Sequence, residues 1–487
     1  MSVSDSISVS HLLHDESSSP IQFSSKQLES LTANPNGYQR TIDFDTLPLT
    51  GRWCTFEDAW LSLPVRITGT TAGASADFDS ASPAIAFKGS VLSLIDGISV
   101  QTSSGVSLVE ERHSTVFANH LRLMLEKPSN WFISNGDSLE YAKDQPAADV
   151  VSALTAVANI QDPQMAKYTG AVSATANSDN LSYNQGFAIR SAKLLSTATS
   201  VAAAGVSQVL NIKLSAIASF FEAMNFPFVN CRMKLTFYMN FTTSANSSYL
   251  PMCRGTDIAT GAVVAADIPY LAFDTASGDV PRIYYHSLLF SPEQSAAISS
   301  QLEKGFVKKL RYSVYDMYTT PGVTNPTISA PISTNVVNPK RVFALAQPTG
   351  LVNGVRWPSP LVTGADSYLT NVNVLVNNQV YLQSSLSTPA AQYEQLREAM
   401  PLHAFGGSDT DLKYSDWLNT YRIVCVDLSR HGDQSGNKNL PISLTFTGTL
   451  MGVMNADLTY IVERQMQTLF EFGAADFVVK TGPALFH

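Results

Sequence analysis

The sequence predicts an all-β fold made of two successive antiparallel units, and three observations carry that expectation. Apolar and polar residues alternate with period two through most of the regular segments, as in strands with one face in a core and the other wet. The clearest such strand occurs twice. Met233, Leu235, Phe237, Met239 and Phe241 alternate with Lys234, Thr236, Tyr238 and Asn240, and 209 residues on (233 to 442) Ile442, Leu444, Phe446 and Leu450 alternate with Ser443, Thr445, Thr447 and Thr449. Helical spacing is confined to short segments, one of which follows a strand-and-loop stretch in each half. With 487 residues and 45% hydrophobic content, the chain has core material for two units of about 200 residues each.

In chain order, residues 1–36 are Ser-rich and polar, end in Ala-Asn-Pro-Asn-Gly, and read as an extended N-terminal arm. The first unit is expected over 37–242. It opens on TIDFD, where Ile42 and Phe44 alternate with acidic residues, and continues with Leu61, Leu63, Val65 and Ile67 alternating with Ser62, Pro64, Arg66 and Thr68. Ser114 is placed to cap a helix whose stripe is Phe117, Leu121 and Met124. VLNIKLSAI then precedes the closing strand. Residues 243–280, rich in Ala, Gly, Thr and Ser, read as a connection, and the second unit is expected over 281–472.

Near its start Ser291 caps a helix, Pro292 opens it and Gln294 completes a capping box, with Ile298 and Leu302 toward the core and Gly305 as the stop. This helix is expected to space two early strands of the second unit. Further on, Thr388 is an N-cap and Pro389 takes the first helical position, while Tyr393, Leu396 and Met400 form the stripe and Pro401 ends it. YRIVCVDL precedes ISLTFTGTL, and 473–487 reads as a C-terminal tail. The two capped helices are 274 residues apart (114 to 388), against 209 for the strands, so the halves share an order of elements but not loop lengths. The extra length falls in 133–205 in the first half and in 319–340 and 347–370 in the second.

Composition narrows the function. Charged residues are 15% of the chain, well below the usual quarter, which excludes a coiled coil; disorder is excluded by the hydrophobic content. A monomer relies on surface charge for solubility, so the deficit points to surface spent against copies of the same chain. Net charge is −9 and the pI about 5.4, against a basic nucleic-acid-binding domain. The one basic cluster, Lys308, Lys309 and Arg311, reads as the solvated face of a strand. Cys54, Cys231, Cys253 and Cys425 are far apart with no CxxC, and buried reduced thiols are expected. No signal peptide and no transmembrane segment are expected. The sequons at Asn180, Asn240 and Asn246 then read as chance matches.

No catalytic, cofactor-binding or metal site is expected, and no cofactor. There is no GxxxxGK[ST], no strand-linked GxGxxG, no HExxH and no GxSxG. His113 and His120, seven apart, lack a third metal ligand, and His431 in SRHGDQSGN reads as a solvated loop residue. Glu110 and Glu111 adjoin Arg112, but neighbours on a strand point to opposite faces, so a charge-balanced helix start is the better reading than an acidic catalytic pair. Trp53, Trp60 and Trp131 are expected in the core. Trp357 and Trp417 fall in loops, where packing or a subunit contact is favoured over a sugar platform.

FKGSVLSLIDGISVQTSSG, followed by HSTVFANHLRLMLEKPSNW, and later TNVNVLVNNQVYLQSSLSTPAAQYEQLREAM resemble segments of the major capsid proteins of polinton-like viruses and virophages. The closing strands MKLTFYMNF and ISLTFTGTL are similarly placed, and the resemblance covers 38–472. It implies two consecutive eight-stranded jelly rolls, a double jelly roll, with short inserted helices and long loops. It also implies a non-enzymatic major capsid protein of a DNA virus, located in the virion and assembled inside the host cell. Three copies would form a pseudo-hexagonal capsomer of an icosahedral shell. The partners implied are the chain itself, neighbouring capsomers, and penton and minor capsid or cement proteins, with no specific nucleic-acid site. The helix-like insert SAIASFFEAMN departs from strict equivalence of the halves. Two other readings stand beside it: another virion part such as a penton or spike, and a carbohydrate-binding or glycan-hydrolysing β-sandwich.

Overall fold

The structure, a computed structural model, describes residues 22–29, 41–49, 52–71, 74–75, 85–128, 131, 136, 138–144, 184–197, 200–202, 205–229, 231–241, 250–254, 268–274, 279–303, 306–349, 357–363, 367–399, 412–429, 441–452, 455–472 and 477–483. Sixteen strands form its frame. The first eight are β1 (Gln22–Glu29), β2 (Thr41–Asp45), β3 (Trp53–Thr71), β4 (Ile95–Thr102), β5 (Ser107–Arg112), β6 (Gly205–Lys213), β7 (Met233–Met239) and β8 (Arg282–Leu289). The second eight are β9 (Phe306–Val323), β10 (Thr327–Val336), β11 (Pro339–Pro348), β12 (Ser367–Val376), β13 (Gln379–Val380), β14 (Val424–Asp427), β15 (Ile442–Gly452) and β16 (Ala456–Phe472). The helices are α1 (Thr115–Glu126), α2 (Gln185–Thr197), α3 (Leu214–Ile217), α4 (Ser219–Ala223), α5 (Pro292–Glu303), α6 (Pro389–Glu398) and α7 (Tyr414–Asn419).

The pairing is the same in both halves. One sheet of the first half runs β1-β8-β3-β6 and its mate β2-β7-β4-β5; in the second half the orders are β9-β16-β11-β14 and β10-β15-β12-β13. Every position is filled by the strand eight places later. The duplication expected from MKLTFYMNF and ISLTFTGTL is thus a repeat of a whole two-sheet frame, with β7 and β15 each second from the edge of its sheet. Short additional strands extend the frame. Residues 74–75 and 268–273 pair with β3, 200–202 with β6 and 477–483 with β16, while 85–87 and 252–254 pair with each other.

Period-two patterning places the cores. Phe44 and Phe237 face each other edge-on across β2 and β7, 5.9 Å between centroids, inside the first core with Leu63, Val65, Ile98 and Leu235. In the second half Leu444, Phe446 and Leu450 of β15 meet Val342, Ala344, Leu458 and Tyr460. Strand β11 does not alternate, because its sheet is covered on both faces: Val342, Ala344 and Ala346 point into that core while Phe343 and Leu345 point into another. The two outer faces differ. β7 carries Lys234 within 3.6 Å of Asp43 on β2, whereas the outward positions of β15 are Ser443, Thr445, Thr447 and Thr449, all half-buried.

The pairing corrects the expected boundaries. The N-terminal arm contributes β1, which pairs residue by residue with β8 from Gln22↔Leu289 to Glu29↔Arg282 and buries Leu28 in the first core. The expected connection contributes the strand 268–273, and β8, placed in the second unit by the sequence, pairs with β3 of the first. Distant pairing partners decide membership here, and period-two patterning carries no information about partners. Helix α5 therefore joins the two frames rather than spacing strands within the second. Its capping box forms as expected: the Gln294 N–H donates to Ser291 Oγ at 3.2 Å and the Ser291 N–H to Gln294 Oε1 at 3.1 Å. The side chains of Ile298 and Leu302 lie outside the described residues, as does Met400. Thr388 caps α6 through Ala391 N, but Ser114, in helical conformation itself, makes no side-chain cap on α1.

Candidate functional site: the seam between the two frames

Strand β9 is an edge strand of the second frame, and edge strands present unpaired backbone donors. The first frame supplies their partners. The Ser313 N–H donates to Ser219 Oγ of α4 at 3.0 Å, and the Tyr315 N–H donates to Glu111 Oε1 of β5 at 3.1 Å. Between them the Tyr312 hydroxyl donates to the Leu108 carbonyl at 2.6 Å, and its ring meets Phe220 edge-on at 5.2 Å. Leu310, Tyr312, Val314 and Phe470 join the first core outright. The helix-like insert that breaks the symmetry of the halves is thus the piece that grips β9.

Helix α1 closes the other side of the seam. Every residue from Thr115 to Leu125 is buried, as a helix covered all round must be. Val116, Phe117, Leu121 and Met124 pack with Trp357, Leu361, Leu396, Trp417, Tyr421 and Ile461 of the second half. Two polar residues of the helix are tied back to the first half. Arg122 Nη2 donates to Glu222 Oε2 at 3.0 Å and to the Ser215 carbonyl at 3.2 Å, and His120 Nε2 lies 3.0 Å from Ser90 Oγ. Gly89, at φ +74°, donates its N–H to the Pro358 carbonyl across the seam at 3.0 Å. A Cβ on Gly89 would come within 2.7 Å of the His120 ring in the same half and 3.1 Å of Ser359 Oγ across the seam, and with the positive φ this requires glycine there.

A buried ionic group pins the seam at a third place. Arg190 of α2, fully buried, donates through Nη2 to Asp144 Oδ1 at 2.8 Å and to the Pro358 carbonyl at 3.2 Å. Asn184 Nδ2 donates to the same carboxylate at 2.6 Å, and the Asp144 N–H donates to the Tyr421 hydroxyl at 2.8 Å. Lys143 and Asp416 pair beside it at 2.8 Å. On β16, Glu463 is nearly inaccessible, and burial alone would raise its pKa. Arg341 and Lys340, both 3.2 Å away, hold it below its ordinary value instead.

Glu111 is the exception. Burial pushes its carboxyl up to about 7, against the opposing pulls of the Tyr315 amide and of Arg122. A folded-state pKa above the ordinary 4.5 means that the protonated form favours the native seam. That contribution is full below 4.5 and is lost as pH rises through about 7. The span corresponds to on the order of 3 kcal/mol. Glu111→Gln, which keeps the acceptor for Tyr315 and cannot ionise, is expected to gain that much relative to the unchanged chain between about pH 5 and pH 8. Urea midpoints of the two proteins across that range check it, and parallel pH profiles would refute it.

The structure separates the residues singled out in the sequence. His113, exposed and at φ 60°, pairs with Asp96 at 2.8 Å, while the buried His120 ring lies against Ser90 Oγ at 3.0 Å and the Val116 carbonyl at 2.7 Å, so the two rings are engaged in different surroundings. No cluster of three metal-ligating side chains occurs among the described residues. Glu110 and Arg112 pair on the wet face at 2.6 Å while Glu111 turns into the seam. All four cysteines are buried and none is in a disulfide, and burial pushes the Cys54 and Cys253 thiols up to about 12. Lys309 and Arg311 lie on an exposed face as expected, but Lys308 sits over the Phe226 ring at 5.7 Å. His431 lies outside the described residues.

Trp357 and Trp417 pack, as favoured, while the three tryptophans expected in the core lie at its margin. Trp53, Trp60 and Trp131 are half-buried, Trp60 stacked on Tyr284, whereas Trp357 and Trp417 are among the most buried side chains of the protein. Neither of the latter is open enough for a sugar platform. The sequence reading missed Asp144, Arg190 and Lys88. Lys88 is wholly buried, which pushes its ammonium down to about 7. No local pattern marks these three, because their partners lie 40 to 277 residues away or are backbone atoms of other segments.

No family model matches the chain, and no curated protein matches it by sequence. Solved structures do match its fold. A chain in the structure of the Sputnik virophage aligns with a TM-score of 0.60 at 12% identity, covering 96% of this chain and 90% of that one. The mavirus major capsid protein aligns at 0.54 and 11%, covering 95% and 90%. The Faustovirus major capsid protein aligns at 0.50 and 11%, covering 92% and 90%. The fold is therefore a double jelly roll, as the sequence resemblance implied, with an eight-stranded frame in each half.

Proposed function

We propose that this chain is a major capsid protein, a structural and non-enzymatic subunit that assembles with copies of itself into trimeric, pseudo-hexagonal capsomers of an icosahedral shell around a DNA genome. The observation that carries the reading is the seam. Two jelly rolls are locked into one block by a shared apolar core, by backbone donors of an edge strand satisfied across the junction, and by a buried ion pair. A building block of a closed shell has to hold its own shape while weak contacts between copies are made and sorted. The charge deficit fits the same role. Hydroxyl-bearing outward positions such as Thr445 and Thr447 can be covered without the desolvation cost of buried charge.

The location is then the virion, and the finer partners are penton and minor capsid or cement proteins. The pI of about 5.4 argues against tight genome binding by the rolls. Light scattering after size-exclusion chromatography tests the reading. The expected species is about 158 kDa, three times 52.6 kDa, or closed particles in negative stain. A single-copy mass at every concentration overturns it, and five-fold rather than three-fold images select a penton instead.

A further inference from the structure

Arg122, Arg190 and Arg422 are the buried arginines among the described residues. Two of them face a carboxylate, Arg122 with Glu222 at 3.0 Å and Arg190 with Asp144 at 2.8 Å. Arg422 pairs with no carboxylate among the described residues, and its Nε is sealed from solvent without an acceptor. Burial pulls at all three guanidinium groups. Glu126 and Glu222 nonetheless hold Arg122 above its ordinary value and Asp144 does the same for Arg190, while Arg422 is left below. A buried charge without a counter-charge is among the costliest groups a fold carries.

The fold nevertheless holds this cation firmly in place. Tyr421 and Ile423 anchor the flanking backbone in the core shared by the two rolls, and the Arg422 N–H donates to Thr363 Oγ1 at 3.0 Å. The guanidinium carbon lies 3.8 Å from the centroid of the Tyr368 ring and 5.9 Å from that of Trp417. Tyr368 of β12 stands opposite Met451 of β15, so the two share a sheet face, and Met451 is exposed. Tyr414, also exposed, lies near-parallel to Trp417 and edge-on to Tyr393 at 5.1 Å. The unpaired cation is thus stacked on one ring beside open apolar and aromatic surface. Stacking leaves the in-plane N–H groups of an arginine to meet a carboxylate edge-on, in a bidentate pair. One guanidinium is matched in charge by one carboxylate, whereas a phosphate dianion leaves a charge over.

We propose that Arg422 anchors a peptide-binding site, taking an aspartate or glutamate side chain from an acidic segment of a partner protein, with apolar residues of that segment against Tyr414 and Met451. In an extended segment the residues two places to either side of the acid share its face, so an apolar-x-acid-x-apolar pattern suits the site. The site does not depend on the capsid reading. It adds a ligand chemistry to the chain and stands or falls separately.

The test titrates the full chain with the acetylated, amidated pentapeptide Leu-Ser-Asp-Ser-Phe, with its Asn counterpart, and with inorganic phosphate. Calorimetry reads the binding, and so does tryptophan fluorescence, because Trp417 lies beside the guanidinium. The expected result is saturable binding of the Asp peptide, with the Asn peptide weaker by about tenfold or more. Arg422→Met is expected to weaken the Asp peptide by a similar factor. The same variant should melt at or above the temperature of the unchanged chain, since methionine removes an uncompensated charge and still packs on the Tyr368 ring. An arginine kept for the fold alone would give the opposite shift. Should Arg422→Met melt early, Arg422→Lys decides, because it keeps the charge and loses the planar fork. Binding weakened about tenfold at an unchanged melting temperature then supports the site, and unweakened binding overturns it. No saturable binding of the Asp peptide, equal binding of the Asp and Asn peptides, or binding of phosphate in preference to the peptide also overturns it. None of these results bears on whether the chain forms trimers.

Discussion

Asp144→Ala is expected to destabilise the protein by about 3–5 kcal/mol, the usual cost of removing one partner of a buried ion pair. Arg190 is fully buried, and with Asp144 gone its Nη2 keeps the Pro358 carbonyl as an acceptor but no compensating charge. Asn184 loses its acceptor as well, and Tyr421 loses a neighbouring carboxylate oxygen 3.4 Å from its hydroxyl. These groups belong to both rolls, so the damage falls on the seam rather than on either sandwich. Replacing both partners, Asp144→Ala with Arg190→Met, is expected to recover a large part of the loss, because no charge then remains buried. Urea midpoints of the two singles and the double measure it. A loss below about 1 kcal/mol for Asp144→Ala would mean that water reaches the guanidinium.

Trp417→Ala is expected to cost about 3–5 kcal/mol, the range for emptying a large aromatic site in a core. Trp417 is completely buried on α7, lies near-parallel to Tyr414 at 5.9 Å, and donates its indole N–H to the Ile423 carbonyl at 2.8 Å. That carbonyl lies one residue before β14, so the indole also sets where the strand begins. Trp417→Phe keeps most of the volume and removes the donor, for an expected loss of about 1–2 kcal/mol. The two variants separate packing from hydrogen bonding when their denaturation midpoints are compared. Equal losses would assign the whole effect to the donor.

Much of the fold was legible in order along the chain. The alternation in TIDFD, MKLTFYM and ISLTFTGTL is a local property of side chains on a pleated strand, and all three strands appear where it occurs. Capping at Thr388 and Ser291 is equally local, and both caps form. Ser114 carries the same local signal and fails, because it is itself helical and buried beneath the seam, where the turn geometry of a cap does not exist.

The seam was not legible. Glu111 and Glu110 look alike in sequence, and only pairing with β4 and the approach of β9 send one into the interior and leave the other in water. Trp357 and Trp417 read as loop residues because loops are named by what they lack, while burial depends on what folds over them. The arm at 22–29 shows the same thing: eight residues of polar, weakly patterned chain become a strand because β8 offers a free edge.

By itself, then, the sequence determined that the protein is all-β, duplicated and poor in charge. These follow from composition and from side-chain periods of two and 3.6, which neighbouring residues settle among themselves. Only the tertiary structure decided where one roll ends and the next begins, which of two adjacent glutamates is buried, and which edges remain open. Those outcomes rest on pairs up to 277 residues apart, such as Asp144 with Tyr421, and chain-local chemistry holds no record of them.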